Sequence, residues 1–184
     1  MQPKVRLTVD EYLAMDASSD GKLEFVNGEI VARSGGSVEH SAIQVNIVVA
    51  LAKRIRPPCE VHGSELRILL EETGLYAYPD VSVVCGEPDV TDTNLPSVRN
   101  PRLVVEVLSE STATYDLAVK GEHYRYRASL DAILFVDSRR RHVQLQTRNP
   151  DGNWLLQTLA SGTVRIPALD LELPLDELYR ASGL

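Results

Sequence analysis

In PRLVVEVLS, residues 101–109, apolar positions fill both faces of what reads as one strand. Side chains alternate along a strand, so Val105 and Val107 share one face while Val104, Glu106 and Leu108 share the other. A strand apolar on both faces is a covered, central one. Glu106 is the exception in it. An isolated carboxylate in such a place costs several kcal/mol, about the same order as much of a protein's net stability, so it calls for a cation, a metal or a proton.

Elsewhere the pattern changes period. Thr8 and Glu11 in TVDEYLAM have capping-box spacing and open a short helix with Leu13 on its inner face. KLEFVNGEIVA predicts a hairpin turning at Asn27-Gly28. Ile43, Ile47, Leu51 and Ile55 recur at helical spacing, predicting a long amphipathic helix that ends at Pro57-Pro58. Strand-like segments follow around ELRILL and LYAYPDVSVVCG, joined by EETG, and the three prolines of GEPDVTDTNLPSVRNP predict an exposed loop. Strand RLVVEVLS, a helix from about Tyr115 to Ala128 and strand AILFVD together predict a right-handed βαβ unit. HVQLQT and WLLQTL form strands across a turn at NPDG, and LDELYR closes the chain as a helix after Pro174.

Composition narrows the class. The 184 residues, 43 % hydrophobic and 24 % charged with no linker-like stretch, predict one domain over 1–184. Cys59 and Cys85 lack CxxC spacing, so free buried thiols and a reducing cytoplasm are expected. No apolar run has the length of a signal peptide or a membrane span. A net charge of -7 argues against bulk electrostatic attraction to nucleic acid, so any such contact is local and aided by metal ions.

The candidate chemistry is acidic. Asp80 follows Pro79 at the start of VSVV, and Glu106 comes 26 residues later in the next long buried strand. Neighbouring strands would bring the two together, and a hard divalent cation relieves the repulsion between them; Mg²⁺ or Mn²⁺ suits oxygen ligands. Lys120 lies 14 residues after Glu106 on the following helix, with Leu117 and Tyr124 at i-3 and i+4, so it faces partly inward. Against each stands a plainer reading: an exposed turn aspartate for Asp80, and a surface i,i+4 pair of Asp116 with Lys120.

The stretches YPDVSVV, LVVEVLSESTATYDLAVKGEHYRY and AILFVD resemble the Uma-two family of endonucleases, and the likeness extends to KLEFVNGEIV and His40. The resemblance implies an α/β restriction-endonuclease-like (PD-(D/E)xK) fold, a central mixed β-sheet flanked by α-helices. It implies Asp80 and Glu106 as metal ligands, Lys120 as catalytic lysine and Glu24 as an auxiliary acid near the metal, though a solvent-facing hairpin glutamate explains Glu24 equally. In the common motif the lysine follows the second acid by two residues. Here that position is Leu108, and the lysine has moved to the helix.

Metal-assisted hydrolysis of DNA by Mg²⁺ (or Mn²⁺) follows as the first functional expectation, with the carbonyl of Val107 as a further ligand and burial depressing the Lys120 pKa toward base duty. The alternative is a catalytically silent binding or interaction module. His40 is open between helix capping and the active site, and Tyr124 and Tyr126 between core packing and stacking on bases. The run Arg139-Arg140-Arg141 is open between solvation and phosphate contact. The histidines lack paired-ligand spacing, and Ser109, His123 and Asp137 lack a nucleophile elbow. SGGS, residues 34–37, lacks the lysine of a phosphate-binding loop and reads as a flexible link. Nucleases of this fold commonly work as dimers, which makes a homodimer the candidate assembly.

Overall fold

A computed structural model describes residues 6–33 and 36–184. In chain order the elements are α1 (Val9–Ser18), β1 (Leu23–Val26), β2 (Glu29–Ala32), α2 (Val38–Ala52), β3 (Cys59–Gly63), β4 (Ile68–Leu70), β5 (Leu75–Ala77), β6 (Val81–Cys85) and β7 (Pro101–Leu108). A π-helix (Tyr115–Lys120) runs directly into α3 (Gly121–Tyr126). Then come β8 (Ala132–Asp137), β9 (Val143–Arg148), β10 (Trp154–Leu159), β11 (Thr163–Ile166), a 3₁₀ turn (Pro167–Leu169), β12 (Leu171–Pro174) and α4 (Leu175–Leu178).

The main sheet has six strands in the order β10-β9-β8-β7-β6-β3. It is mixed, because β7 and β8 run parallel while its other neighbours are antiparallel. The parallel pair is joined through the π-helix and α3, as a βαβ crossover requires. β7 is central and covered on both sides, and the alternation in its sequence sorts its residues. Leu103, Val105 and Val107 pack with Ile43, Ile47 and Leu51 of α2 and with Leu175 and Leu178 of α4. Val104 and Leu108 face the other way, against Ile133, Phe135, Tyr124 and the apolar side of a second sheet, β2-β1-β5-β4. On the far side of that sheet, α1 seats Tyr12 on Phe25 and Tyr76. The expected architecture, a central mixed sheet flanked by helices, is thus observed.

Local signals behave as their chemistry dictates. Thr8 and Glu11 form the reciprocal capping box. Asn27 and Gly28 both take positive φ, 53° and 84°, in the two-residue turn of the β1-β2 hairpin. The inward residue of α1 is Tyr12, with Leu13 only half-buried. Helix α2 ends at Ala52, ahead of the prolines, and Ile55 packs on the core from the turn beyond it.

Other expectations are corrected. Cys59 and Cys85 are register partners on antiparallel β3 and β6 and form a disulfide, so they are not free thiols, and the argument from them to a reducing cytoplasm falls away. β3, β11 and β12 are strands beyond those expected: TVRI and LELP alternate buried and more exposed positions, but over only four residues each. The loop after β6 is not wholly exposed: Thr91, Ser97 and Val98 are buried, because Val98 exchanges backbone hydrogen bonds with Arg67 and Leu69. Of the SGGS link, Ser34 and Gly35 lie outside the described residues, as do positions 1–5; Ser37 caps α2 through His40 N–H. Among the described residues no helix is long and apolar enough to cross a membrane.

Candidate active site

Val81 pairs with Val105, so Asp80 and Glu106 occupy the next cross-strand position where β6 meets β7. Both are buried, at 4 % and 0 % exposure, which removes the reading of Asp80 as a surface turn residue. Asp80 Oδ2 accepts the backbone N–H of Val107 at 2.7 Å. The amide of Val107 is therefore what meets Asp80. Asp80 Oδ1 lies 3.2 Å from His40 Nε2, and Gln44 donates to the Asp80 carbonyl at 2.9 Å, so two successive turns of α2 brace this residue.

Lys120 comes to the same place from the π-helix. Its ammonium is fully buried, 2.6 Å from Glu106 Oε1, 2.9 Å from Glu24 Oε1 and 3.6 Å from Asp116 Oδ1. Glu24, on β1, is also fully buried and accepts Tyr78 N–H at 2.9 Å, so it is no solvent-facing hairpin glutamate. Tyr124, one helical turn beyond Lys120, donates its hydroxyl to Glu106 Oε1 at 2.5 Å. It is wholly buried, and Tyr126 is the exposed member of the pair.

Two members were missed in the sequence. Arg33, just after β2, reaches Asp116 at 3.2 Å, Asp80 at 3.5 Å, and Glu24 and Glu106 at 3.7 Å. Asp116 is fully buried where an exposed helical pair was the plain reading. Parity offered a signal for the arginine. Glu24 faces Val31 across the hairpin, so Arg33, two residues on, lies on the same face one step diagonally away.

The electrostatics follow from this packing. Burial raises Glu106, only partly opposed by Lys120, and leaves its pKa above the ordinary carboxylate range. Burial pulls Lys120 down, but Glu106 and Glu24 outweigh it and hold the ammonium above its usual value. The expectation of a depressed lysine is thus overturned: an amine ringed by carboxylates is a charged donor, not a ready base. Burial also pushes Asp80 up, but His40, Arg33 and the Val107 amide bring it below its ordinary value.

Each of three acids gives one oxygen to this network and leaves the other without a hydrogen bond: Glu24 Oε2, Glu106 Oε2 and Asp116 Oδ2. Such unused buried carboxylate oxygens are the hard donors a magnesium or manganese ion takes, so the donor set fits. Among the described residues no group of three or more His, Cys, Asp or Glu side chains is arranged so that it could hold a metal ion, and the Arg33 guanidinium lies among the acids. The site opens into a cleft of about 640 Å³ lined by Lys22, Arg33, His40, Gln44, Asp80 and Ser109, among others.

The basic run lies apart from this cluster. Arg139 and Arg140 bond Asp137 and Arg141 bonds Asp176, so all three hold acids of their own chain.

A family model described as "Uma2: Putative restriction endonuclease" matches residues 9–176. The chain belongs to the Uma2 family. Two Synechocystis proteins are similar to the chain over most of its length. "Uncharacterized protein slr1290" is 35 % identical over 97 % of this chain and 94 % of its own, and "Uncharacterized protein sll1609" is 34 % identical over 87 % and 91 %. A solved structure described as a putative nuclease belonging to DUF820, from Anabaena variabilis, superposes with a TM-score of 0.73. At 19 % identity, covering 94 % of this chain and 97 % of that one, it establishes a shared fold. The Uma2 match spans β1 through β12, so every acid, lysine and arginine of the cluster lies inside it.

Proposed function

We propose that this protein is a divalent-metal-dependent endonuclease that hydrolyses DNA phosphodiester bonds at the Asp80–Glu106–Lys120 cluster. The observation that carries the reading is the meeting of five chain segments' charged groups at one buried point, with three carboxylate oxygens left without a hydrogen bond, beside an open cleft. A structural ion-pair network needs no such spare oxygens, because leaving polar atoms unsatisfied is costly.

In this reading Asp80 and Glu106 hold the ion, with Glu24 as a further carboxylate. A bound Mg²⁺ or Mn²⁺ would polarise the phosphodiester and lower the pKa of a coordinated water. The chain's own residues do the rest. The Val107 amide and His40 fix the Asp80 carboxylate in one orientation, and Tyr124 does the same for Glu106. Lys120, kept protonated by its neighbours, orients water and stabilises charge developing on the phosphate rather than removing a proton. The Lys22 and Arg33 side chains in the cleft are the local positive charge that would meet a polyanion despite the acidic chain.

The experiment is plasmid nicking and linearisation with Mg²⁺ or Mn²⁺, using Asp80→Asn as the control. Metal-dependent cleavage that disappears in the variant is the expected outcome. Cleavage by neither protein, on DNA or RNA and under several metals, would favour a silent binding module. That second reading has one observation behind it, the guanidinium lodged among the acids.

A further inference from the structure

We propose that Arg33 is a resident internal cation that occupies the metal position and must swing out before a divalent ion can bind, so that it sets the ion concentration at which the site loads. The inference rests on the metal-dependent reading above.

The geometry is specific. A single guanidinium reaches four carboxylates from four chain segments, and its NH2 nitrogen alone spans Asp80 Oδ1 and Glu106 Oε2, at 3.5 and 3.7 Å. Those are the two acids assigned to the ion. An octahedral magnesium ion holds oxygens at about 2.0–2.1 Å and cannot share that point with a nitrogen already lying between them. Distances of 3.2–3.7 Å are loose for charged hydrogen bonds, as befits a group held by summed attraction rather than by one tight fork. Lys120 differs. It is fully buried, within 2.6–2.9 Å of two acids, and has no exit.

Arg33 has an exit. Its side chain is 13 % exposed and lines the cleft. Its backbone N–H is pinned to Lys22 C=O at 3.0 Å, so the hairpin can stay in place while the side chain alone turns. Moving out exchanges four buried partners for water. A site populated in its open form about a tenth of the time or less binds its ion more weakly by that fraction.

The test compares Mn²⁺ binding, by calorimetry or by loss of the free-ion EPR signal, in the native protein and in Arg33→Met. The variant should bind at least about tenfold tighter, corresponding to an open fraction of roughly a tenth or less. Folding of the variant that depends on Mn²⁺ also supports the inference, since the ion then replaces the guanidinium. Because that variant removes a buried charge, native crystals soaked in Mn²⁺ give a second readout. Anomalous density between Asp80 and Glu106, with the Arg33 guanidinium turned into the cleft, is expected. Density there with the guanidinium unmoved, or equal affinities in the two proteins, overturns the inference and leaves the metal site standing. No Mn²⁺ bound by either protein overturns the metal reading itself.

Discussion

Replacing Lys120 by methionine keeps most of the unbranched side chain and removes the terminal ammonium with its charge. The ammonium lies 2.6 and 2.9 Å from Glu106 and Glu24, fully buried, so both acids lose their nearest cation with no water to replace it. Breaking a buried ion pair in this way costs about 3–5 kcal/mol. Against a total stability of roughly 5–15 kcal/mol that is a large fraction. At a urea slope of about 2 kcal/mol/M, the unfolding midpoint should fall by about 2 M. The assay is urea denaturation of metal-free protein in a double-mutant cycle with Glu106→Gln. Neutralising the acid along with the lysine should recover part of the loss, giving a coupling energy of about 1–3 kcal/mol. A midpoint shift below about 0.5 M, or two single effects that simply add, would refute the picture of a tightly coupled buried pair. Loss of cleavage in Lys120→Met must therefore be read beside its stability, because this lysine holds the pocket together through Glu106 and Glu24.

Tyr124→Phe removes the 2.5 Å hydrogen bond to Glu106 and should cost about 1.5–3 kcal/mol, read as a lower thermal midpoint. An unchanged midpoint would deny that the hydroxyl braces the acid. Reducing the Cys59–Cys85 disulfide, which closes a span of 26 residues, should destabilise by about 3 kcal/mol; equal stability with and without reductant would contradict it. Burial acts to raise Asp137, but bonds from Arg139 hold its pKa below the ordinary 3.8. A depressed folded-state value contributes stability above pH 4 or so, and that contribution is lost as pH falls through the folded value. Asp137→Asn should therefore flatten the acid limb of the stability curve below about pH 4, and an unaltered limb would show that the contact contributes nothing there.

What could be read in advance depended on whether a signal was local. The Asn27-Gly28 turn, the Thr8–Glu11 box and the alternation of β7 are set by neighbours in sequence, and all three appear as expected. Glu106 announced itself because a charge in a two-sided apolar strand needs an explanation. Lys120 was flagged by helical spacing and the family likeness. Arg33 and Asp116 were not, because each has an ordinary role on its own element, and only packing of the hairpin against the crossover helix turns both inward. The buried Arg67–Asp16 pair, 2.8 Å apart, escaped for the same reason: its partners come from β4's approach and α1. The disulfide was missed because cross-strand register, not spacing along the chain, places two cysteines opposite one another.

The π-helix of Tyr115–Lys120 gives the crossover one residue more per turn than its α-helical continuation, with Gly121 N–H closing on Asp116 C=O. In an α-helix each residue advances about 100° around the axis. Removing a single uncharged residue from this turn would relax it to ordinary winding and change the angle at which Lys120 leaves the helix relative to Glu106, with every charged residue of the cluster still present in the chain. The location of the lysine is therefore held by phase rather than by identity. Length changes in this short segment can disarm the site in a chain whose charged residues all still match, so a relative is better compared by counting residues between Glu106 and its lysine than by checking that both are there.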